Sequence, residues 1–157
     1  MKKLLKIAML IGMIGIQLLG ACKQELSGQN LEKQLSTIQG SWEGNGHLFD
    51  AQLNKTLGAI PIQITIEKGQ VNGQIGDAQF ESNKIKLSST HILVIAELEK
   101  DFDNRYPTNK RKLELLFPIS ISKQEKEVDM DFHIKQNFIL DFSMLVGNVK
   151  LKALHAH

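Results

Sequence analysis

The feature that most constrains this chain is an alternation of apolar and polar residues that returns along most of its length. It is clearest where single residues separate four isoleucines: Ile60, Ile62, Ile64 and Ile66. A period of two with β-branched residues is typical of a strand with one buried face. The same alternation returns at residues 71–75, 85–87, 113–121, 128–134, 138–142 and 149–153. At residues 92–98, apolar side chains occur on both faces of the predicted strand, which indicates that both faces are covered.

Turn residues separate these segments, as in Lys68-Gly69-Gln70, and no helical periodicity of ten or more residues intervenes. Regular hairpin spacing without βαβ alternation favours a meander of antiparallel strands. We therefore predict an all-β domain at residues 37–154, a small barrel or sandwich of about 8–10 strands. Pro61 and Pro118 fall within predicted strands, and each is expected at an edge or a bulge because proline donates no ladder hydrogen bond.

The N-terminus has the organisation of a secretory signal. Met1–Lys6 is basic, and the apolar run at residues 7–19 is shorter than the ~20 residues that span a bilayer. The tetrapeptide Leu19-Gly20-Ala21-Cys22 that follows resembles the lipobox of bacterial lipoproteins. This resemblance implies removal of residues 1–21 and acylation of Cys22, with palmitate among the acyl chains. Lys23 after the cysteine favours the outer membrane, again by resemblance.

Residues 22–36 are polar and are expected to form a lipid-anchored flexible tether with at most a short helix, and residues 155–157 a tail. Cys22 is the only cysteine, so no intramolecular disulfide forms. Three of the 19 Lys and Arg residues lie before Cys22, which leaves 16 basic residues against 17 acidic ones. A domain with this balance and only two arginines is not expected to bind nucleic acid.

Gly40-Ser41-Trp42 opens the predicted domain. A Gly-x-Trp at the first strand resembles the N-terminal signature of lipocalins. In that family the tryptophan closes the base of an antiparallel barrel, and the glycine lets the chain bend into it. The resemblance implies a lipocalin-like barrel that Trp42 closes at its base, where it is a candidate contact for a ligand in the interior. The alternative is that Trp42 is the largest core side chain of an unrelated β-domain.

One strand carries an unusual set of polar residues of the same parity: Glu125, Glu127, Asp129, Asp131, His133 and Lys135. Side chains two residues apart share one face of a strand. Asp129, Asp131 and His133 are therefore candidate contacts for a basic partner. The alternative is a solvated face balanced by Lys150 and Lys152 on the last strand.

The longest polar connection contains Asp103, Arg105 and Tyr106, which are candidate contacts because loops often carry binding residues. It begins like a calcium loop, but Arg105 occupies a ligand position and no glycine follows. His47 and His91 stand alone. We find no catalytic motif and no metal-ligand spacing, and we expect neither catalysis nor a cofactor.

Two functions remain open. The first is an envelope lipoprotein whose lipocalin-like barrel binds a small hydrophobic ligand without catalysis. The second is a periplasmic lipoprotein that binds a protein, such as an inhibitor or immunity-type protein against a toxin or lysozyme. They differ in where the function lies, because the first needs a cavity inside the barrel and the second needs an exposed surface.

Overall fold

The structure is a computed structural model that describes residues 28–51, 53–102, 112–119, 121, 126–135 and 144–154. The chain divides into two units, Met1–Lys33 and Gln34–His157. In the first unit the structure describes residues 28–33, which are helical. All the strands that the structure describes lie in the second unit. Within the described residues, no helix combines the length and apolar character of a membrane span.

The helix α1 covers residues 28–38. Nine strands follow within the described residues: β1 (Gly40–Asp50), β2 (Lys55–Glu67), β3 (Gln70–Ile75), β4 (Ala78–Ser82), β5 (Ile85–Leu87), β6 (His91–Leu98), β7 (Lys112–Pro118), β8 (Glu127–Lys135) and β9 (Met144–Leu154). The helix overlaps the predicted tether, so the predicted boundary between residues 36 and 37 falls inside it. The segment predicted at 138–142 lies outside the described residues.

The strands form one antiparallel meander that closes on itself. Strands β1 to β4 pair in sequence order, as do β5 to β9, and the two series are joined by the pairings of β9 with β1 and of β4 with β6. These pairings close eight strands into a barrel, and β5 is an additional strand on the edge of β6. The predicted all-β meander is confirmed, and closure makes it a barrel rather than a sandwich.

A bulge separates β4 from β5 along the edge of β6. The Ser82 hydroxyl donates a 2.5 Å hydrogen bond to the Ile95 carbonyl and accepts one from the Lys84 amide at 2.9 Å. The Ile95 amide donates to the Lys84 carbonyl at 3.0 Å. The Ser82 side chain therefore takes the place of a missing backbone pair, and the wall stays hydrogen-bonded where the ladder shifts by one residue.

The strands are strongly staggered around the barrel. A path that steps from each residue to its paired residue on the next strand measures this stagger. It starts at Ser41 on β1 and passes through Thr65, Asn72, Glu81, Glu97, Lys112 and Lys135. It reaches Met144, which lies one residue before the partner of Asp50 at the end of β1. The stagger therefore spans nearly the whole 11-residue length of β1. Strand number and stagger together fix the radius, and eight strands give an interior that side chains can fill.

The last turns of α1 close the end of the barrel at which β1 begins. Leu35 is 8% exposed and Ile38 is fully buried, and the Trp42 indole donates a 2.8 Å hydrogen bond to the Ile38 carbonyl. Gly40 joins helix and strand with φ +122°, a conformation that favours glycine. The indole N–H thus satisfies a terminal carbonyl of α1, which fixes the end of the helix against β1.

The opposite end is closed by Phe102, just after β6. Its side chain is fully buried, and its carbonyl accepts a 2.7 Å hydrogen bond from the Asp77 amide in the β3–β4 turn. Gly76 lies so close to this carbonyl that a β-carbon there would collide with it. A glycine with φ +57° is therefore required for the turn to pass under Phe102.

Candidate functional site

The sequence candidates lie in different parts of the molecule. Trp42 points into the barrel and is 4% exposed. Asp129 and Asp131 are exposed on the outer face of β8, and His133 on the same face is half-buried. The other predicted positions lie outside the described residues: Cys22, Asp103, Arg105, Tyr106 and Glu125. The structure therefore brings three candidates together on one strand and separates Trp42 from them.

The cross-strand lysines proposed as the alternative partners of the acidic strand are present. Glu127 lies 3.7 Å from the Lys150 ammonium and 3.8 Å from that of Lys152. All three side chains are more than half exposed, so the pairs contribute little stability. Asp131 instead accepts a 2.8 Å hydrogen bond from the Asn148 amide. The negative charge near Glu127 is thus offset, whereas Asp131 has a neutral partner.

The barrel interior is packed with side chains. Most of its inward-pointing side chains are 0–4% exposed, including Trp42, Ile62, Ile64, Val94, Leu115, Met130 and Phe132. An internal space that admitted water or a ligand would leave exposed surface on the side chains around it. The rings fill the gaps left by glycines, because a β-carbon at Gly46 would lie 2.8 Å from Phe132, and one at Gly73 would lie 2.7 Å from Phe80. The described side chains therefore fill the interior.

The outer surface differs between the two sides of the barrel. Where β2, β3 and β4 pair with one another, the outward positions are polar: Gln63 lies opposite Gln74, and Gln74 lies opposite Gln79. On the other side, apolar residues point outward and are half-buried, such as Leu93 and Ile95 on β6. The sequence prediction that 92–98 is covered on both faces is thus wrong in part, because the outward residues of β6 keep some exposure.

Strand register places these outward apolar residues, together with polar residues between them, in two adjacent rows. We call the two rows the lateral patch. One row runs from β1 to β6 through Phe49, Val146, His133, Glu114 and Ile95. The next runs through His47, Asn148, Asp131, Leu116 and Leu93. Apolar side chains lie at both ends of the first row and at the β6–β7 end of the second, on either side of a polar centre.

A compact ionic cluster forms the centre of the lateral patch. The Glu114 carboxylate is 2.8 Å from Lys135, 3.6 Å from His133 Nδ1 and 3.7 Å from Lys112, and only 14% of its side chain is exposed. Burial alone raises the pKa of Glu114. The hydrogen bond and charge of Lys135, with the charge of Lys112 and the His133 hydrogen bond, outweigh it and hold this pKa below its usual value. Lys112 and Lys135 are directly opposite in register, so Glu114 also relieves their mutual repulsion.

A groove of about 390 Å³ crosses the patch over β1, β9 and β8, and we call it the slot. Its lining residues are His47, Phe49, Asp131, His133, Val146, Gly147 and Asn148. Phe49 and Val146 supply apolar surface, while Asp131 supplies a carboxylate held by Asn148. The slot thus combines an apolar wall with one oriented carboxylate.

Sequence reasoning identified Asp131 and His133 but missed the rest of the slot. His47 and Asn148 become their neighbours only through the β1–β9 and β8–β9 registers. A signal for the patch was present in the apolar residues of both parities at 92–98, which a strand exposed on one face does not need.

Among the described residues, no group of three or more His, Cys, Asp or Glu side chains is placed to hold a metal ion. Comparison with known proteins finds no family model that matches the chain and no curated protein similar to it in sequence.

Proposed function

We propose that this protein is a lipid-anchored envelope lipoprotein whose barrel binds another protein, without catalysis, through the lateral patch. The observation that carries the proposal is the contrast between the two surfaces of the barrel wall. The inner surface is filled by side chains of which most are 0–4% exposed, whereas the outer surface of β6, β7 and β9 holds half-buried apolar residues. Apolar surface on the outside of a barrel is typical of an interaction site.

A small hydrophobic ligand, the first function that the sequence predicts, needs space that the described interior lacks. Entry from the Trp42 end requires displacing the helix contact, and entry from the other end requires displacing Phe102. Making room at the centre requires moving Phe132, whose ring packs on glycines of two other strands. Each change opens a well-packed core, which costs several kcal/mol. The packing therefore favours the second function, protein binding.

The partner that we infer is a basic protein. Asp129 and Asp131 are exposed along the edge of the lateral patch, and complementary charge accelerates the encounter of two proteins. An inhibitor or immunity-type protein against a toxin or lysozyme has these requirements: a rigid scaffold, a binding surface and no catalytic group. The lipobox at Leu19–Cys22 supports a position in the envelope, where we propose that acyl chains on Cys22 hold the protein at the outer membrane.

Native mass spectrometry of the full-length protein, gently extracted from its own envelope, tests the proposal. We expect a stoichiometric protein partner that dissociates at high ionic strength, because salt screens exposed charge pairs. A small apolar mass that is released only on denaturation, with no protein partner, would contradict it. That result would favour a ligand inside the barrel.

A further inference from the structure

We propose that the slot receives an arginine side chain of the protein partner, with its guanidinium paired to Asp131. This inference rests on the proposed function and deepens it, because it names the chemical group that the lateral patch recognises. Three features of the slot support it: its shape, its charge, and the group that orients its carboxylate.

The shape of the slot fits a long side chain with a planar polar end. Phe49 and Val146 are half-buried outward residues of neighbouring strands and are paired in register, so they form a continuous apolar wall. Arginine can bury its methylene stem along such a wall while its charged end stays in contact with water. Aromatic and imidazole rings at Phe49, His47 and His133 offer surfaces on which a guanidinium packs more favourably than an ammonium.

The charge of the slot favours a cation. Its described lining contains the Asp131 carboxylate and neither lysine nor arginine. Each nearby glutamate is shared by two lysines: Glu114 lies 2.8 Å from Lys135 and 3.7 Å from Lys112, and Glu127 lies 3.7 Å from Lys150 and 3.8 Å from Lys152. None of these four lysines lines the slot. Asp129, two residues before Asp131 on the same face of β8, adds a second exposed carboxylate.

The Asp131 carboxylate is held in place for such a partner. Asn148 lies opposite Asp131 in register and donates a 2.8 Å hydrogen bond to its Oδ1 atom. An ionised carboxylate has further lone pairs on both oxygens, so the remaining positions can accept N–H groups of a guanidinium. A carboxylate oriented before binding loses less side-chain freedom when the pair forms.

The test uses the full chain, isotopically labelled in detergent micelles, and follows the Val146 methyl and Asn148 side-chain amide resonances. The probe is N-acetyl-arginine methylamide, and the matched probe is its citrulline counterpart, which has nearly the same shape without the charge. We expect saturable shifts with the arginine probe and little response to citrulline. Asp131→Asn should weaken the arginine response about fivefold, as loss of one exposed charge pair does.

Glu127→Gln is the matched control variant, because it removes a carboxylate from the same face of the same strand outside the slot. It should leave the arginine response nearly unchanged. Equal responses to both probes, shifts remote from the slot, equal effects of the two variants, or no response would each overturn the inference. A protein partner captured at the lateral patch in any of those cases would leave the proposed function standing, so the two failures are distinguishable.

Discussion

The ring of Phe132 on β8 lies directly over Gly147, its registered partner on β9, and leaves no space for a β-carbon there. The same ring packs against Gly46 on β1, where a β-carbon would be 2.8 Å from Cε1. One aromatic side chain thus fills the volume that glycines on two other strands leave open. This packing explains how a staggered eight-stranded barrel is filled at its centre, and why we place its function on the outer surface.

Gly147→Ala is expected to destabilise the barrel by about 1–3 kcal/mol, because the new methyl group collides with Phe132 in a core that has no spare volume. Urea unfolding measures the free energy of unfolding. A smaller side chain in Phe132→Leu should recover part of the loss, so that the double variant is more stable than the sum of the two changes predicts. Simple additivity would contradict the packing described here.

Trp42→Phe should cost about 2 kcal/mol, because it removes the indole N–H that bonds the Ile38 carbonyl and also removes buried volume. Since Trp42 is the only tryptophan, unfolding must be followed by circular dichroism rather than by fluorescence. Thr37→Ala, which removes a part-buried hydrogen bond in the same helix, is a milder comparison. An unchanged free energy of unfolding in Trp42→Phe would show that the indole does not fix the end of α1.

Glu114→Gln is expected to change how stability depends on pH. The pKa of Glu114 is lowered in the folded state, so its ionised form stabilises the fold above the unfolded-state pKa. That stabilisation is lost as the pH falls through the folded-state pKa. The variant should therefore be less stable than the wild type near neutral pH, and the difference should vanish in strong acid. Glu127→Gln, in an exposed cluster, should show a much smaller difference at every pH. Parallel pH profiles for Glu114→Gln and the wild type would contradict the account.

Cys22→Ser should abolish acylation and release the protein from the membrane fraction, because several acyl chains are needed for stable attachment. Mass spectrometry of the N-terminal peptide, with labelled palmitate as tracer, measures the modification directly. A wild-type chain that carries no acyl group at Cys22 would contradict the anchor, while leaving the barrel and the lateral patch untouched.

The strands could be predicted from the sequence because their signal is local. The four isoleucines at residues 60–66 became the buried face of β2, and Lys68-Gly69 became the turn before β3. Pro61 was expected at an edge or a bulge; it pairs with Asn45 on β1 and lies just beyond the last β2–β3 pair, Ile62 with Ile75. Each of these features depends on residues close together in the chain, where propensity and periodicity act.

Closure and the candidate site could not be predicted in the same way, because both depend on register between strands. The β4–β6 pairing that helps to close the barrel involves Phe80 opposite Leu98, and alternation does not specify such partners. His47 appeared isolated in the sequence, and only the order β1–β9–β8 places it beside Asn148 and Asp131. The helix at residues 28–38 was also underestimated, because its polar composition resembles that of a tether.

The most direct test of the central claim is site-specific photo-crosslinking in the native envelope. A benzophenone amino acid replaces Leu116 in the lateral patch, and in a matched variant it replaces Gln63, which is exposed on the polar side. We predict an ultraviolet-dependent adduct with one protein partner from position 116, none from position 63, and loss of the adduct when Val146→Glu is added. Equal adducts from both positions, or no adduct from position 116 while an apolar molecule remains bound to the purified chain, would contradict the account.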